Sequence, residues 1–313
     1  MKKLLATMLA ISMIAFGFIS PALAKGEKII YITHAPDSDS WWNTIKNAIR
    51  LAAEQMGVTV EYRNPTTGDL ADMGRIIQQA TASRPAGIIT TIADYNVLKG
   101  PIKNAVDQGI AVITVNSGTI AQSQQLGALL HIGQPEYDAG KAAGQRAKKS
   151  GVTNFLCVNH YITNPASVER CQGFADGIGV KLGDQMIDSG LDPSEVKHKV
   201  KAFLSSHPKT NGIMTLGPNS ADPTILALDE LGLSGSLFFA TFDLDQAISK
   251  AIKAGTINFA IDQQPFLQGY LPVVLLTNYV RYGVIPPNSI NSGPGFITKA
   301  NIAEVEKLAG TYR

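Results

Sequence analysis

Short apolar runs alternate with longer stretches of helical period along most of the chain. Lys28–Thr33 (KIIYIT) reads as a strand. From Trp41 to Met56 the apolar residues fall at Trp42, Ile45, Ile49, Ala52, Ala53 and Met56, the spacing of one helix face. Val58–Tyr62 reads as the next strand and Asp69–Thr81 as the next helix. Strands at Ala86–Thr91 and Ala111–Val115 bracket a helix at Tyr95–Asp107, and a strand near Leu129–Ile132 leads to a helix at Tyr137–Lys149. The alternation then restarts. Strands read at Asn154–Val158, Gln185–Ile187, Gly212–Leu216, Leu237–Thr241 and Asn258–Ile261; helices read at Ala166–Lys181, Pro193–Leu204, Asp222–Leu231, Leu244–Ala254, Pro265–Tyr282 and Lys299–Ala309. Pro272 falls inside one of these helices and predicts a kink or a late start there. Strictly alternating strands and helices, with strands apolar on both faces, predict parallel sheets covered on both sides. Two such runs predict an α/β protein of two doubly wound, Rossmann-like lobes.

The first 24 residues break this pattern. Lys2 and Lys3 precede an uncharged apolar run from Leu4 to Ile19; Pro21 interrupts it and Ala22-Leu23-Ala24 has the small-x-small form of a cleavage site. That is the design of a secretory leader, and the run is short for a membrane anchor. The expectation is a mature chain of 289 residues starting at Lys25 and soluble outside the cytoplasm. Without Lys2 and Lys3 the 27 basic residues become 25, equal to the 25 acidic ones. A neutral chain has no electrostatic case for nucleic acid or an anionic membrane as its main partner. Its length predicts two domains. Cys157 and Cys171 are the only cysteines. In an oxidising compartment they read as a local disulfide, worth about 3 kcal/mol by loop-closure entropy, with two buried thiols as the alternative. No metal site and no cofactor are expected, because ligand clusters and phosphate-binding glycine loops are missing.

In doubly wound sheets, ligands sit beyond the carboxyl ends of the strands. The residues there are His34 and Asp39; Thr91 and Asp94; Asn116 and Ser117; Asn159, His160 and Tyr161; Gly217 and Asn219; Phe242 and Asp243; and Asp262 and Gln263. Neutral hydrogen-bonding groups with a few acids and aromatics suit a polyhydroxylated ligand. Trp42 lies on the apolar face of its helix, so Trp41-Trp42 has two readings, core packing or an aromatic platform for a sugar ring. Arg170 reads as a solvated helix residue or as an inward fork donating to two hydroxyls. Asp243 reads as the cap of the following helix or as an acceptor for sugar hydroxyls.

With these residues in place the chain resembles the ribose-type (type I) periplasmic sugar-binding proteins of ABC importers. The resemblance spans the mature chain. It rests on Trp41-Trp42, Glu169-Arg170 with Gly173-Phe174, Phe242-Asp243, Gln263 before Gln264-Pro265, and the strand end Val112–Asn116. It implies two lobes joined by a three-segment hinge near Gln134, Gln263 and Ser292. The first lobe would be residues 25–133 plus 264–291, and the second 134–263 plus 292–313. Carried over by position, the implied ligand residues are Asp39, Trp41, Trp42, Thr91, Asn116, Tyr161, Arg170, Asn219, Phe242, Asp243 and Gln263. Ribose receptors have Asp at the position of Asn116 and Asn at that of Gly217, and an aliphatic residue at that of Tyr161; Asn219 or Asp222 is available to stand in at Gly217. These departures argue against ribose itself.

The resemblance implies a non-enzymatic monomer that captures a small neutral sugar or polyol and delivers it to an ABC permease in the inner membrane. A receptor serving a chemotaxis or signalling sensor is an alternative compatible with the same residues. A secreted carbohydrate-active enzyme would need a pair of catalytic carboxylates. A regulator of the lactose-repressor type would need a DNA-binding module where the leader stands.

Overall fold

The computed structural model describes residues 26–313, so the leader lies outside the described residues. One sheet contains β1 (Lys28–Ile32), β2 (Thr59–Arg63), β3 (Gly87–Thr90), β4 (Ala111–Val115), β5 (His131–Gly133) and the late strand β11 (Ile290–Asn291), in the order β11-β5-β4-β3-β1-β2. The other contains β6 (Phe155–Asn159), β7 (Met186–Asp188), β8 (Gly212–Thr215), β9 (Phe238–Phe242), β10 (Phe259–Asp262) and β12 (Gly295–Thr298), in the order β12-β10-β9-β8-β6-β7. All pairings are parallel except β10 with β12. The chain therefore passes between the sheets three times: after β5, after β10 and after β11.

The helices follow as α1 (Trp42–Met56), α2 (Leu70–Ala82), α3 (Tyr95–Asp107), α4 (Ile120–Leu126), α5 (Glu136–Lys149), α6 (Pro165–Ile178), α7 (Pro193–Ser206), α8 (Pro218–Glu230), α9 (Gln246–Ala254), α10 (Pro265–Tyr282) and α11 (Ile302–Val305). Strand β1 shows why the strands are apolar throughout. Ile29 and Tyr31 face α1 and α10, packing with Ile45, Ile49, Val273 and Leu276, while Ile30 and Ile32 face α2 and α3, packing with Met73, Ile77, Leu98 and Ile102. In the second sheet, Phe155 and Cys157 meet Phe174 and Ala143 on one side; Leu156 and Val158 meet Val196, Val200 and Ile248 on the other. This is the doubly wound, two-lobed α/β architecture expected from the alternation.

Three local departures have physical causes. Helix α4, which the apolar period missed, is short and starts on a reciprocal capping box between Thr119 and Gln122. The closing helix is reduced to α11 and a 3-10 turn at Glu306–Leu308. Strands β11 and β12, with two and four residues, are too short to show a period. Pro272 does not break α10, which runs continuously from Pro265 to Tyr282. The proline denies a donor to the carbonyl four residues back, that of Gln268, and the buried Tyr31 hydroxyl donates to that carbonyl at 2.9 Å instead.

Helices α5 and α6 approach unusually closely. A Cβ added at Gly140 would lie 2.2 Å from the Arg170 carbonyl oxygen, at Gly144 2.2 Å from that of Phe174, at Gly173 2.1 Å from that of Tyr137, and at Gly177 2.3 Å from that of Lys141. Glycines spaced by four on both helices are what allow the backbones to touch. The Cys157–Cys171 disulfide then ties α6 to β6.

Candidate ligand-binding site

Between the strand ends of the two sheets lies a cleft lined from both sides. His34, Asp39, Trp41, Trp42, Asn116 and Ser117 come from the first lobe; His160, Tyr161, Asn164, Ser167, Arg170, Gly217, Asn219 and Asp243 come from the second, with Gln263 at a crossing. It has about 60 Å³ of room for the centres of water molecules. That is several times what a single water needs.

Most of the expected residues meet here, but they do not all do the same work. Trp42 is buried, 3 % exposed, and packs in the core of the first lobe, while Trp41 is half-buried; their rings meet edge to face at 5.1 Å. Trp42 thus packs in the core, and Trp41 leaves a half-buried indole at the cleft. Thr91 and Phe242 do not line the cleft. Thr91 is fully buried and pairs with His34 Nδ1 at 3.0 Å, so it props a lining residue from behind. Phe242 is fully buried, and the Arg170 guanidinium lies 4.3 Å from its ring centre. Strand alternation explains this: Phe242 points into the α5–α6 side of the sheet, and Asp243, one residue on, reaches the cleft. Asp222 is not a lining residue either; burial and then the neighbouring Asp245 carboxylate raise its carboxyl to about 8.

Asp243 is not a helix cap, because Asp245 accepts from the Ile248 amide at the start of α9. Asp243 sits at φ 62° and Asn116 at φ 59°, left-handed conformations that Asp and Asn tolerate better than most residues. One Asp243 oxygen accepts from Gln263 Nε2 at 3.0 Å; the other, Oδ1, is buried without a partner. Burial pushes this carboxyl up to about 7, against the opposing pull of Arg170. Asn116 and Gln263 contribute walls but few free polar atoms. Asn116 Nδ2 donates to Gln268 Oε1 at 2.9 Å and to Gln263 Oε1 at 3.3 Å, and its own oxygen accepts from Ser117. Gln268 extends the network to Ser292 at 2.9 Å, so the cleft floor is wired into the crossings.

Arg170 faces inward, but the fork expected for ligand hydroxyls is occupied. Its Nε and Nη2 donate to the two oxygens of Glu136 at 2.7 and 2.8 Å, and Nη1 donates to the Leu216 carbonyl at 3.0 Å. That accounts for three of the five guanidinium N–H groups and leaves two. Glu136 begins α5 directly after a crossing and is held in turn by Gln134 Nε2 at 2.8 Å. No sequence signal separates Glu136 from an ordinary first-turn acid.

Direct contacts also join the lobes. Asn219 Nδ2 donates to Asp39 Oδ1 at 3.1 Å, and the Tyr161 hydroxyl donates to the His34 carbonyl at 3.4 Å. Asn164 caps α6 through its oxygen and uses its Nδ2 across the cleft, 3.3 Å from Ser117 Oγ and 3.4 Å from His34 Nε2. The structure is a closed form. His34 and His160 are held neutral here, their imidazoles lowered to about 4 chiefly by burial. Asp39 is raised by burial, with hydrogen bonds from Asn219 and Trp41 acting against that rise.

Two α/β lobes, three crossings and a ligand-sized cleft between strand ends agree with a match of residues 29–283 to the periplasmic binding protein domain. The chain belongs to that family. Periplasmic binding proteins of known structure cover it almost end to end. A carbohydrate transporter protein from Acidothermus cellulolyticus, solved with myo-inositol, is 33 % identical, with a TM-score of 0.85 over 92 % of this chain and 100 % of the other. A periplasmic sugar-binding protein from Legionella pneumophila is 27 % identical, with a TM-score of 0.78 over 85 % and 99 %. The xylose/arabinose-binding protein of Sulfolobus acidocaldarius is 27 % identical over 88 % of this chain and 72 % of its own length. As a periplasmic binding protein the chain is a binder rather than an enzyme, as the resemblance implied.

Proposed function

We propose that this protein captures a single-ring neutral polyol outside the cytoplasm and hands it to an ABC permease. The observation that carries the reading is the unpartnered, buried Asp243 Oδ1 in a cleft that Arg170, with two N–H groups unused, and Trp41 also line. A hydroxylated ring offers donors to the carboxylate, acceptors to the guanidinium and a C–H face to the indole. Asp39 and Asp243 both line the cleft, which disfavours an anionic ligand. A ring polyol of the inositol type comes first because the relative at 33 % identity was solved with myo-inositol; pentoses follow from the xylose/arabinose relative.

Capture proceeds by bending at the crossings near Gln134, Gln263 and Ser292. The ligand enters an open cleft, and the closed form is stabilised by contacts made only when both lobes engage it. The cross-lobe bonds of Asn219, Asn164 and Tyr161 supply part of that stability without ligand. A micromolar affinity, about −8 kcal/mol, needs only a few charge-assisted hydrogen bonds and one stacked ring beyond them. Calorimetric titration of the mature protein with myo-inositol, D-xylose, L-arabinose, D-ribose and D-glucose tests the reading. One or more should bind, and Asp243→Asn and Arg170→Met should each weaken binding by at least about tenfold. Unchanged affinity in both variants refutes this site; no binding across the panel refutes the ligand class.

A further inference from the structure

We propose that Glu136, which does not line the cleft, is a positioning residue that sets how Arg170 and Asp243 meet the ligand. The inference rests on the sugar-site reading above and assigns Glu136 a part in it. The geometry is a relay. Gln134 holds Glu136, Glu136 grips the guanidinium through two bonds, and the same guanidinium lies over Phe242 next to Asp243. Glu136 and Arg170 are 5 % and 8 % exposed, so neither bond is shared with bulk water.

The pair has two consequences. The bidentate bond fixes the plane of the guanidinium, and therefore the direction of the N–H groups left for a ligand. It also places an anion against Arg170, the cation facing Asp243 among the described residues; the neighbouring Asp262 is itself paired with Arg313. The charged groups around Asp243 are Arg170 on α6, Glu136 on α5 and Asp262 on β10. His160, across Gly217, is neutral. Burial accounts for most of the rise of Asp243 to about 7 and Arg170 is the main opposing pull; the Glu136 carboxylate, paired with that guanidinium, adds to the rise. Ligand hydroxyls donate to the ionised carboxylate, so affinity should rise as pH passes upward through that value.

The charge and the geometry of Glu136 can be separated. Glu136→Gln keeps the shape and removes the charge; Glu136→Asp keeps the charge and shortens the reach. Two quantities are read for each: the Asp243 carboxyl midpoint by carbon-13 NMR without ligand, and the affinity for the tightest-binding sugar of the panel against pH. Glu136→Gln should lower the midpoint and move the rise of affinity to lower pH by the same amount. Glu136→Asp should leave the midpoint near that of the wild type while weakening binding about tenfold. An unchanged midpoint in Glu136→Gln, or equal midpoints in the two variants, overturns the charge role. Wild-type affinity in Glu136→Asp overturns the geometric one. The midpoint needs no ligand, so failure of the whole sugar panel sinks the ligand assignment while this test still decides the role of Glu136. If Glu136→Gln does not fold, Glu136→Met removes the same charge: a lowered midpoint supports the charge role, and a wild-type midpoint refutes it.

Discussion

Replacing Gly140 by alanine should damage the protein in a way that ordinary helix chemistry would not anticipate. On an exposed helix the exchange gains about 1 kcal/mol, because alanine is the better helix former. Here the new Cβ would lie 2.2 Å from the Arg170 carbonyl oxygen, 3.0 Å from its carbonyl carbon and 3.1 Å from its Cα. All three are backbone atoms, so no side chain can swing away. To restore even 3.0 Å, the shortest separation that real Cβ atoms show, α5 and α6 must part by about 0.8 Å at this point. Overpacking of this kind costs about 1–3 kcal/mol, and a rigid contact belongs at the upper end. After the propensity gain the net loss is about 2 kcal/mol, or roughly 4–8 °C in Tm. Gly74, inside α2, is the matched control: an added Cβ there meets only Pro101 Cγ at 3.5 Å, an ordinary contact, so Gly74→Ala should raise Tm by roughly 1–3 °C. Differential scanning calorimetry of both variants is the assay. An unchanged or raised Tm in Gly140→Ala would refute the account of the α5–α6 contact. The same displacement acts on the Arg170 backbone, so sugar affinity should fall with stability in Gly140→Ala and stay unchanged in Gly74→Ala.

Two further predictions concern groups buried away from the cleft floor. Tyr31→Phe should cost about 1–3 kcal/mol, because Pro272 cannot replace the lost donor to the Gln268 carbonyl; in a Pro272→Ala background the restored amide should shrink that cost, and equal costs in both backgrounds, measured by denaturant titration, would count against the pairing. His131 is 4 % exposed and burial lowers it to about 4, so the folded state refuses a proton that the unfolded chain accepts below about 6.5. Its contribution is therefore present above pH 6.5 and lost progressively down to about 4. Asp243, raised to about 7, acts with the opposite sign, so the readout is a difference: His131→Asn should gain on the wild type by roughly 2–3 kcal/mol between pH 7.5 and 4.5, and parallel Tm curves would contradict it.

The fold was legible because its strands are buried on both faces and its helices on one, which leaves a clean alternation of short apolar runs and longer periodic ones. What escaped were elements set by other physics. Helix α4 is defined by a capping box, and β11 and β12 by partners distant in sequence. Of the site, the strand-end rule found His34, Ser117 and His160 as positions, but gave no reason to rank them above Thr91. It could not show that the side chain of Thr91 stops one layer short. Asn164 carried a readable signal, an Asn before Pro165 at a helix start, yet that signal speaks of capping and not of a bridge between lobes. The partner of Arg170 was beyond reach, since 34 residues separate it from Glu136 and only the glycine faces of α5 and α6 bring them together.

The covalent tie at Cys157 and Cys171 reaches further than stability. Cys171 is the neighbour of Arg170 in α6, and Cys157 lies on the strand that ends near Tyr161, so one bond fastens two cleft-lining residues to a common frame. In a reducing compartment that frame rests on packing and hydrogen bonds alone. Recombinant protein meant for ligand titration should therefore be matured under oxidising conditions.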